Sequence, residues 1–319
     1  QRAEPSPLIR RPAGADPHVA ALLAVQRSAG NAAVGRLLAR QERPLREPPA
    51  GRGRPYESIP GTAFASPVGG GQSDIDPDDV TQGAIGDCWL AASMAAVARA
   101  RPEVIRSAIR ARDDGSYDVS LYISEEGRLM FAPDAPRTVR VTSRFPMLAG
   151  APAYAQPGDA SAAGPELWPM LIEKAYAAMI SGGYPSLAGE VEEAGRVGGL
   201  AALLGIGSTK TQITPQTTDE QVLADIAGAL GARRPVICTT PPEFSDTVVA
   251  RAASGVGVRS NHAYAPVSVD GDTIHLQDPN HHRDISVPVA TFRQVFADYS
   301  ITADPTPREP PAGGPVRVE

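Results

Sequence analysis

The sequence predicts an α+β fold, with helices prevailing in the first half of the folded region and strands in the second half. Two kinds of pattern favour this class. The run WLAASMAAVARA after Cys88 and the run LWPMLIEKAYAAM from Leu167 to Met179 carry apolar residues at helical spacing. After residue 235 the apolar residues fall instead in short runs bounded by turn residues, which is typical of strands.

Length and charge limit the classes that remain. A chain of 319 residues can bury one or two cores, and a net charge of −6 gives no reason to expect a nucleic-acid partner. The charge is uneven, because the first 54 residues hold ten Arg against four acidic residues. No apolar run reaches the roughly 18 residues of a membrane span, and no secretory segment is recognisable. We therefore expect no membrane span and synthesis in the cytoplasm.

The N-terminal residues 1–45 form a predicted leader, and residues 46–72 a predicted linker. Asp16 and Pro17 precede a run that predicts two short amphipathic helices, HVAALLAVQRSAGNAAVGRLLARQ. Within it, QRSAGNAAVGRLL resembles a leader of cargo proteins of extracellular contractile injection systems. An Arg-rich segment that packs on the body and an organellar transit peptide are the alternatives. The linker is rich in Pro and Gly, so we expect a flexible spacer that is a candidate for self-cleavage.

Residues 73–208 form the first predicted folded region, and residues 209–304 the second. In the first, Asp87 is the predicted N-cap of a helix that ends near Pro102, and further elements follow. They are a helix over Val104–Ala111, a strand over Tyr117–Ile123, and the helix Leu167–Met179. Between the last two, Leu129 and Phe131, then Val139 and Val141, continue the predicted sheet. The second has a helix over Asp219–Leu230 capped by Asp219, then strands over Pro235–Thr239, Ala263–Val269, Thr273–Gln277 and Ile285–Val287. Residues 305–319 are a predicted disordered tail.

Cys88 is the candidate nucleophile. It lies in the first turn of the predicted helix, where free backbone N–H groups and the helix dipole lower the pKa of a thiol. Cys238 lies in PVICTT, which predicts a buried strand, so a disulfide between the two is not expected. Gln82, six residues before Cys88, is placed to donate its side-chain amide to a developing oxyanion.

Three strings in order resemble the calpain-type cysteine proteases, a branch of the papain-like thiol peptidases. They are QGAIGDCWL around Cys88, LWPMLIEKAYAAM, and NHAYAPVSV from Asn261 to Val269. The resemblance extends over about Asp74 to Asp304. It implies a papain-like core of two lobes, a helical one and an antiparallel β one, with the nucleophile and the base on opposite walls of a cleft.

The resemblance implies the other catalytic residues. His262 matches the family's histidine, whereas His18 lies in the leader, His275 in a strand, and His281 and His282 in a polar turn. Cys88 would then be the nucleophile, His262 the base and Gln82 an oxyanion donor. The family's orienting Asn precedes Pro and Trp, but this chain reads DPN from Asp278 to Asn280. Matching the Pro makes Asp278 the first candidate and Asn280 the second, and Asn280 replaces the shielding Trp.

The resemblance also suggests positions that bind ligands. Gly198, Gly199 and Asn261 are candidates for contacts with the substrate backbone. The mechanism requires no cofactor. Asp79 and Glu173 match acidic positions of a calcium site in regulated members, while a solvated acidic turn is the alternative for the DIDPDD run.

The resulting functional hypothesis is a cysteine endopeptidase with protein substrates. The leader adds the hypothesis of a bacterial effector or toxin, loaded into a contractile injection system particle in the producer's cytoplasm and then exported. The alternatives are a papain-like acyltransferase or deamidase with the same triad, and a catalytically decayed cargo or binding protein.

Overall fold

Two hydrophobic cores organise the part of the chain that the structure describes. The computed structural model describes residues 45, 47–64, 75–123, 135–158, 160–161, 164–188, 198–280 and 283–304. The first core extends from Ala63 to Leu203 and includes Ala265, and the second extends from Val222 to Tyr299. Helices and antiparallel strands surround the cores, which confirms the predicted α+β class.

The first core is built around two buried helices, α1 (Cys88–Ala100) and α3 (Trp168–Met179). Both are apolar on nearly every face, which suits a helix enclosed by other elements. Two short helices, α2 (Pro102–Ala108) and α4 (Gly199–Leu204), lie beside them. The sheets are β2-β3-β4, β1-β5-β6 and β7-β8, with strands β1 (Tyr56–Ser58), β2 (Ile109–Ala111), β3 (Ser116–Leu121), β4 (Arg137–Thr142), β5 (Arg144–Leu148), β6 (Ala151–Pro152), β7 (Ala160–Ser161) and β8 (Gly164–Pro165).

The second core lies against a six-stranded antiparallel sheet of order β13-β12-β11-β10-β14-β9. Its strands are β9 (Ser208–Gln212), β10 (Val236–Thr239), β11 (Ala263–Asp270), β12 (Thr273–Asp278), β13 (Arg283–Pro288) and β14 (Asp298–Thr302). The helices of this part are α5 (Asp219–Gly231), α6 (Thr247–Val256) and α7 (Val289–Val295).

The two cores meet where α1 packs against β10 and β11. Ala265 of β11 is buried in the first core, and Ile237 of β10 packs against that core from the other sheet. The helix that begins at Cys88 therefore contacts the strand that follows His262. This contact brings residues 174 positions apart in the sequence into one region.

Residues 47–58, which we call the N-terminal strap, differ from the predicted flexible spacer. β1 pairs with β5, the Tyr56 hydroxyl donates to the Pro48 carbonyl oxygen at 2.5 Å, and the Tyr154 hydroxyl donates to that of Ala50 at 2.5 Å. The Pro and Gly residues disfavour helix and strand over most of this stretch. Hydrogen bonds to other parts of the chain nevertheless hold it in one conformation.

Two element boundaries also differ from the sequence prediction. The helix predicted over Val104–Ala111 ends at Ala108, because Ile109 pairs with Val119 in the β2-β3 ladder. The predicted cap of α5 is wrong. Thr218 is the N-cap and accepts from the Gln221 amide at 3.1 Å, so Asp219 is the first helical residue.

Several predicted segments lie outside the described residues. They are the leader before Leu45, the strand start at Leu129, most of the glycine-containing segment before Gly198, the His281/His282 pair, and the tail after Asp304. Within the described ranges, no helix has the length and apolar character needed to cross a bilayer.

Candidate active site

Cys88 is the first residue of α1 and is partly exposed. Its sulfur therefore lies at the end of the helix where backbone N–H groups have no partner within the helix. Asp87 occupies the N-cap position, but its side chain forms no capping hydrogen bond. The prediction that Asp87 is the N-cap residue is confirmed, although its side chain does not bond to the free N–H groups of the helix.

His262 and Asp278 form a buried pair at the adjacent ends of β11 and β12. His262 directly precedes β11, Asp278 is the last residue of β12, and the two strands are antiparallel neighbours. His262 Nε2 lies 2.8 Å from Asp278 Oδ1, and the two side chains are 6% and 4% exposed. This leaves the other ring nitrogen, Nδ1, for a proton exchanged with a nucleophile.

The Asp278 carboxylate accepts two further hydrogen bonds. The Asn280 backbone N–H donates to Oδ1 at 2.9 Å, and an Arg259 guanidinium nitrogen donates to Oδ2 at 3.0 Å. Burial acts to raise the pKa of Asp278, but these hydrogen bonds and the one from His262 hold that pKa well below its usual range. Asp278 is therefore an anion, and Asn280 contributes its backbone to that anion.

The Cys88 thiol lies beside the residue that follows the histidine. The Ala263 backbone is close enough to the sulfur to favour the thiolate. Burial, with a smaller effect of the Asp87 charge, raises the pKa of the Cys88 thiol to about 11 against the lowering effect of the Ala263 backbone and of backbone groups of α1. The predicted net lowering at the helix start is outweighed by burial. A reactive thiolate in this arrangement requires a base that accepts the proton.

Gln82 is buried in the loop before α1 and touches both sides of the site. Its side-chain Nε2 donates to the Ile85 carbonyl oxygen at 2.5 Å, and its backbone N–H donates to the Pro279 carbonyl oxygen at 2.8 Å. The second bond joins the loop before Cys88 to the turn after Asp278. Nε2 carries two protons, and the buried Asp87 carboxyl is close enough to the Gln82 side chain to be a second acceptor, whose pKa this contact lowers.

Asp87 and Glu173 place two carboxyl groups together behind Cys88. Both are almost fully buried, and Glu173 Oε2 accepts from the Ala155 amide at 3.0 Å. The Asp87 carboxyl has the Glu173 carboxyl as its neighbour, so a hydrogen bond between the two requires that one of them is protonated. Burial raises the pKa of Asp87 to about 7. Burial, together with the charge of Asp87, raises the pKa of Glu173 well above its usual range. The pair therefore holds a proton near neutral pH.

The candidate calcium residues have other partners. Asp79 Oδ2 accepts from the Asp76 amide at 2.8 Å and from the Trp168 indole at 3.0 Å, while Glu173 pairs with Asp87. Within the described ranges, no three His, Cys, Asp or Glu side chains gather as a metal site. This arrangement does not fit a calcium ion shared by Asp79 and Glu173, because one carboxyl is occupied by N–H donors and the other is protonated.

The predicted substrate-contact residues have different environments. A Cβ on Gly198 would meet nothing within 4 Å, whereas one on Gly199 would lie 2.6 Å from Ser93 Oγ on α1. Gly199 therefore permits close packing of α4 on α1, and Gly198 borders open space. Asn261 is exposed, with φ of 53°, directly before His262.

Three residues of this region were missed by the sequence analysis. They are Arg259, Tyr264, whose ring meets the His262 ring edge-on at 4.8 Å, and Gly83, which lies against the Tyr154 backbone. An Arg three positions before a candidate histidine carries no periodic signal. Tyr264 had a weak signal, since an aromatic residue two positions along a strand faces the same side.

Comparison with known proteins supports the same region. A family model described as "Calpain family cysteine protease" matches residues 54–281, which is more than half of the 319-residue chain. No curated protein matches the chain. The matched range contains both α1 and the His262–Asp278 pair. The chain belongs to the calpain family of cysteine proteases.

Proposed function

We propose that this protein is a cysteine endopeptidase with Cys88 as its nucleophile and His262 as its base. One observation carries the proposal: the His262–Asp278 pair adjoins β11, and β11 packs on the helix that begins at Cys88. A nucleophile, a base and an anion that holds the base are the three groups that acyl transfer needs.

The proposed reaction begins with proton transfer from Cys88 to His262 Nδ1. The thiolate attacks the peptide carbonyl carbon, and the oxyanion is stabilised by the Cys88 backbone N–H and the Gln82 side-chain amide. Asp278 accepts from His262 Nε2 and stabilises the imidazolium. His262 then protonates the leaving amine, the C–N bond breaks, and water hydrolyses the thioester.

The direct test compares wild type, Cys88→Ala and Cys238→Ala on an unfolded protein substrate. We expect cleavage by wild type and by Cys238→Ala, and none by Cys88→Ala. Cys238 is the matched control because it is a free cysteine that is fully buried in the second core. Cleavage by Cys88→Ala at the wild-type rate would contradict the proposal.

Mass spectrometry of the same reactions separates hydrolysis from the other reactions open to this set of groups. Peptide-bond hydrolysis yields new termini, deamidation yields a gain of about 1 Da on Gln, and acyl transfer yields cross-linked chains. We expect new termini. Intact chains with modified Gln side chains would assign the site to a deamidase or acyltransferase.

We propose that the reaction requires no cofactor. The engaged state of Asp79 and Glu173 supports this, since neither carboxyl is free for a cation. Cleavage rates with added calcium and with a calcium chelator should agree. A rate that depends on calcium would show that a cation binds elsewhere or rearranges these carboxyls.

The leader suggests a role for the peptidase outside its producer. We propose that residues 1–45 load the protein, as an effector or toxin, into a contractile injection particle in the cytoplasm for export. The supporting observation is that the string QRSAGNAAVGRLL resembles a leader of such cargo proteins. Deleting residues 1–44 should abolish co-purification with such particles and leave the peptidase activity unchanged. Self-cleavage, if it occurs, should spare the packed residues 47–64.

A further inference from the structure

The Asp278 carboxylate is shared between the histidine and an arginine. Oδ1 receives His262 Nε2 at 2.8 Å, and Oδ2 receives the Arg259 guanidinium at 3.0 Å. A carboxylate held at one oxygen alone can rotate about its Cβ–Cγ bond, because that torsion is soft. With both oxygens engaged, Oδ1 stays directed at the imidazole.

Arg259 is itself held by the turn that carries the histidine. Its backbone N–H donates to the Tyr264 hydroxyl at 2.8 Å, and its carbonyl oxygen accepts from Thr240 Oγ1 at 2.8 Å. The same Thr240 Oγ1 accepts from the His262 amide at 3.0 Å. Arg259 and His262 are therefore fixed to one side chain and to each other.

The charge at position 278 gives this contact a chemical purpose. An amide there would hold imidazole without adding charge, whereas Asp278 brings a full negative charge to a site where its side chain is 4% exposed. An enclosed charge needs a partner of opposite sign. The Arg259 guanidinium provides one that is always charged, because arginine does not lose its proton in proteins.

We propose that Arg259 is a positioning residue that orients and neutralises Asp278, so that a carboxylate performs the holding role at His262. The inference rests on the proposed cysteine peptidase function. Among the described residues, the titratable groups that face His262 are Asp278 from β12 and Tyr264 from β11, with Arg259 on the far oxygen of Asp278. From α1, Cys88 faces the backbone of Ala263 and has Asp87 beside it.

Arg259→Gln should lower kcat/KM by about 10- to 100-fold, the rate equivalent of one hydrogen bond between charged groups. Both limbs of the pH profile should move to higher pH, because loss of a nearby positive charge favours the protonated forms of the thiol and the imidazole. Arg259→Lys, which keeps the charge, should keep the limbs near their wild-type positions. The matched control is Arg251→Gln, at an exposed position of α6, which should change neither rate nor profile.

A double-mutant cycle with Asp278→Asn tests the partnership directly. In the Asp278→Asn variant the side chain has a single oxygen, and Arg259 and His262 compete to donate a hydrogen bond to it. Adding Arg259→Gln removes the competitor, so it should restore activity rather than reduce it further. Additive losses would overturn the proposal. A kcat/KM of Arg259→Gln equal to that of the Arg251→Gln control would overturn it as well.

NMR of labelled histidine separates this proposal from the proposed function. In wild type and Arg251→Gln, the His262 Nε2 proton should show a slowly exchanging, downfield resonance from its bond to Asp278. Arg259→Gln should shift or broaden it while circular dichroism shows a folded chain. An inactive wild type with this NMR response would reject the peptidase function and keep the positioning role. An unchanged resonance would reject the positioning role even in an active peptidase.

Discussion

Asp87 and Glu173 are acids whose pKa values in the folded chain are raised by burial, with that of Asp87 at about 7. In an unfolded chain, Asp and Glu ionise near pH 4. Between these values the folded state binds more protons than the unfolded state. The stability from this pair is therefore complete below about pH 4 and is lost as the pH rises through 7 and beyond.

Asp87→Asn should remove the pH-dependent part contributed by Asp87. The amide stays neutral and can donate to Glu173, so the variant should gain thermal stability relative to wild type as the pH rises from 5 to 8.5. The gain should reach a few kcal/mol, on the order of the free energy of the pKa shift. Thermal melts across this range measure it, with the exposed Asp113→Asn as control. A difference between variant and wild type that does not change with pH would show that Asp87 keeps one protonation state.

Asn261 combines a strained backbone with a position beside the histidine. Its φ of 53° lies in the left-handed region, which Asn tolerates and β-branched residues do not. We expect Asn261→Gly to melt at the wild-type temperature and Asn261→Val to lose about 1–2 kcal/mol.

The same Asn261 variants test the proposed substrate contact. If the amide side chain bonds to the substrate, Asn261→Gly should raise KM several-fold, as expected for one neutral hydrogen bond at about 1 kcal/mol. Steady-state kinetics on a peptide substrate decide the point. An unchanged KM would leave Asn261 with a backbone role only.

Among the elements, the loop before Cys88 depends on a close approach that only glycine permits. A Cβ on Gly83 would lie 2.0 Å from the Tyr154 carbonyl oxygen. Two hydrogen bonds hold the loop against that segment. The Ala84 amide donates to the Ala153 carbonyl oxygen and the Gln156 amide donates to the Thr81 carbonyl oxygen, each at 2.9 Å.

Gly83→Ala should therefore displace the loop and its neighbour Gln82. We expect a stability loss of about 1–3 kcal/mol, typical of overpacking, and a larger proportional loss in kcat than in substrate binding, because the oxyanion donor moves. Gly228→Ala is the control. Its Cβ would meet nothing within 4 Å on helix α5, so it should be neutral or slightly stabilising. Full activity of Gly83→Ala would show that the loop adapts at no cost.

The first residue of the N-terminal strap, Glu47, forms a charge contact with a buried lysine. Lys174 Nζ is enclosed, donates to the carbonyl oxygens of Thr142 at 3.0 Å and Arg144 at 2.5 Å, and lies 4.0 Å from a Glu47 carboxylate oxygen. Burial lowers the pKa of Lys174 to about 8, and the Glu47 charge counteracts this. Because this pKa lies below that of an unfolded lysine, stability is highest at alkaline pH and falls as the pH drops through 8.

Glu47→Gln should lower that pKa further and so destabilise the protein at pH 7 by about 1 kcal/mol, near the upper limit for partly exposed pairs. The loss should shrink above about pH 8, where the Lys174 ammonium of the folded chain gives up its proton and no longer attracts the Glu47 carboxylate. Denaturant unfolding at pH 7 and pH 10 measures it. The control Glu57→Gln changes an exposed residue of the same strap. Equal losses at both pH values would exclude the charge contact as the cause.

The elements differ in how well their sequences predicted them. The Ala-rich run after Cys88 and the run from Trp168 to Met179 form helices because their local preference and their burial agree. The strap was predicted to be flexible, since its order comes from hydrogen bonds of Tyr56 and Tyr154 that no local pattern reveals. Helix propensity likewise placed Ile109 in α2, whereas pairing with Val119 draws it into a strand.

Across the whole molecule, the candidate site depends on contacts between distant parts of the chain. A matching Pro was enough to select Asp278 as a partner for His262, and the structure brings the two side chains to 2.8 Å. Their catalytic roles stay predictions. Arg259 could not be found this way, because its approach to Asp278 follows from the path of the turn before β11. The raised pKa of the Cys88 thiol was not predicted, because it follows from burial and burial depends on how the two cores pack together.

The bond from the Gln82 amide to the Pro279 carbonyl oxygen, at 2.8 Å, connects the nucleophile's loop to the turn after Asp278. Any motion that separates the loop before Cys88 from the turn after Asp278 must break this bond. The exchange rate of the Gln82 backbone amide proton therefore reports how often the two segments separate. Its deuterium uptake should be slow in the resting protein and slower still with an inhibitor that bridges both segments. Faster deuterium uptake in the presence of a long substrate would mean that these two segments must separate before the substrate can bind.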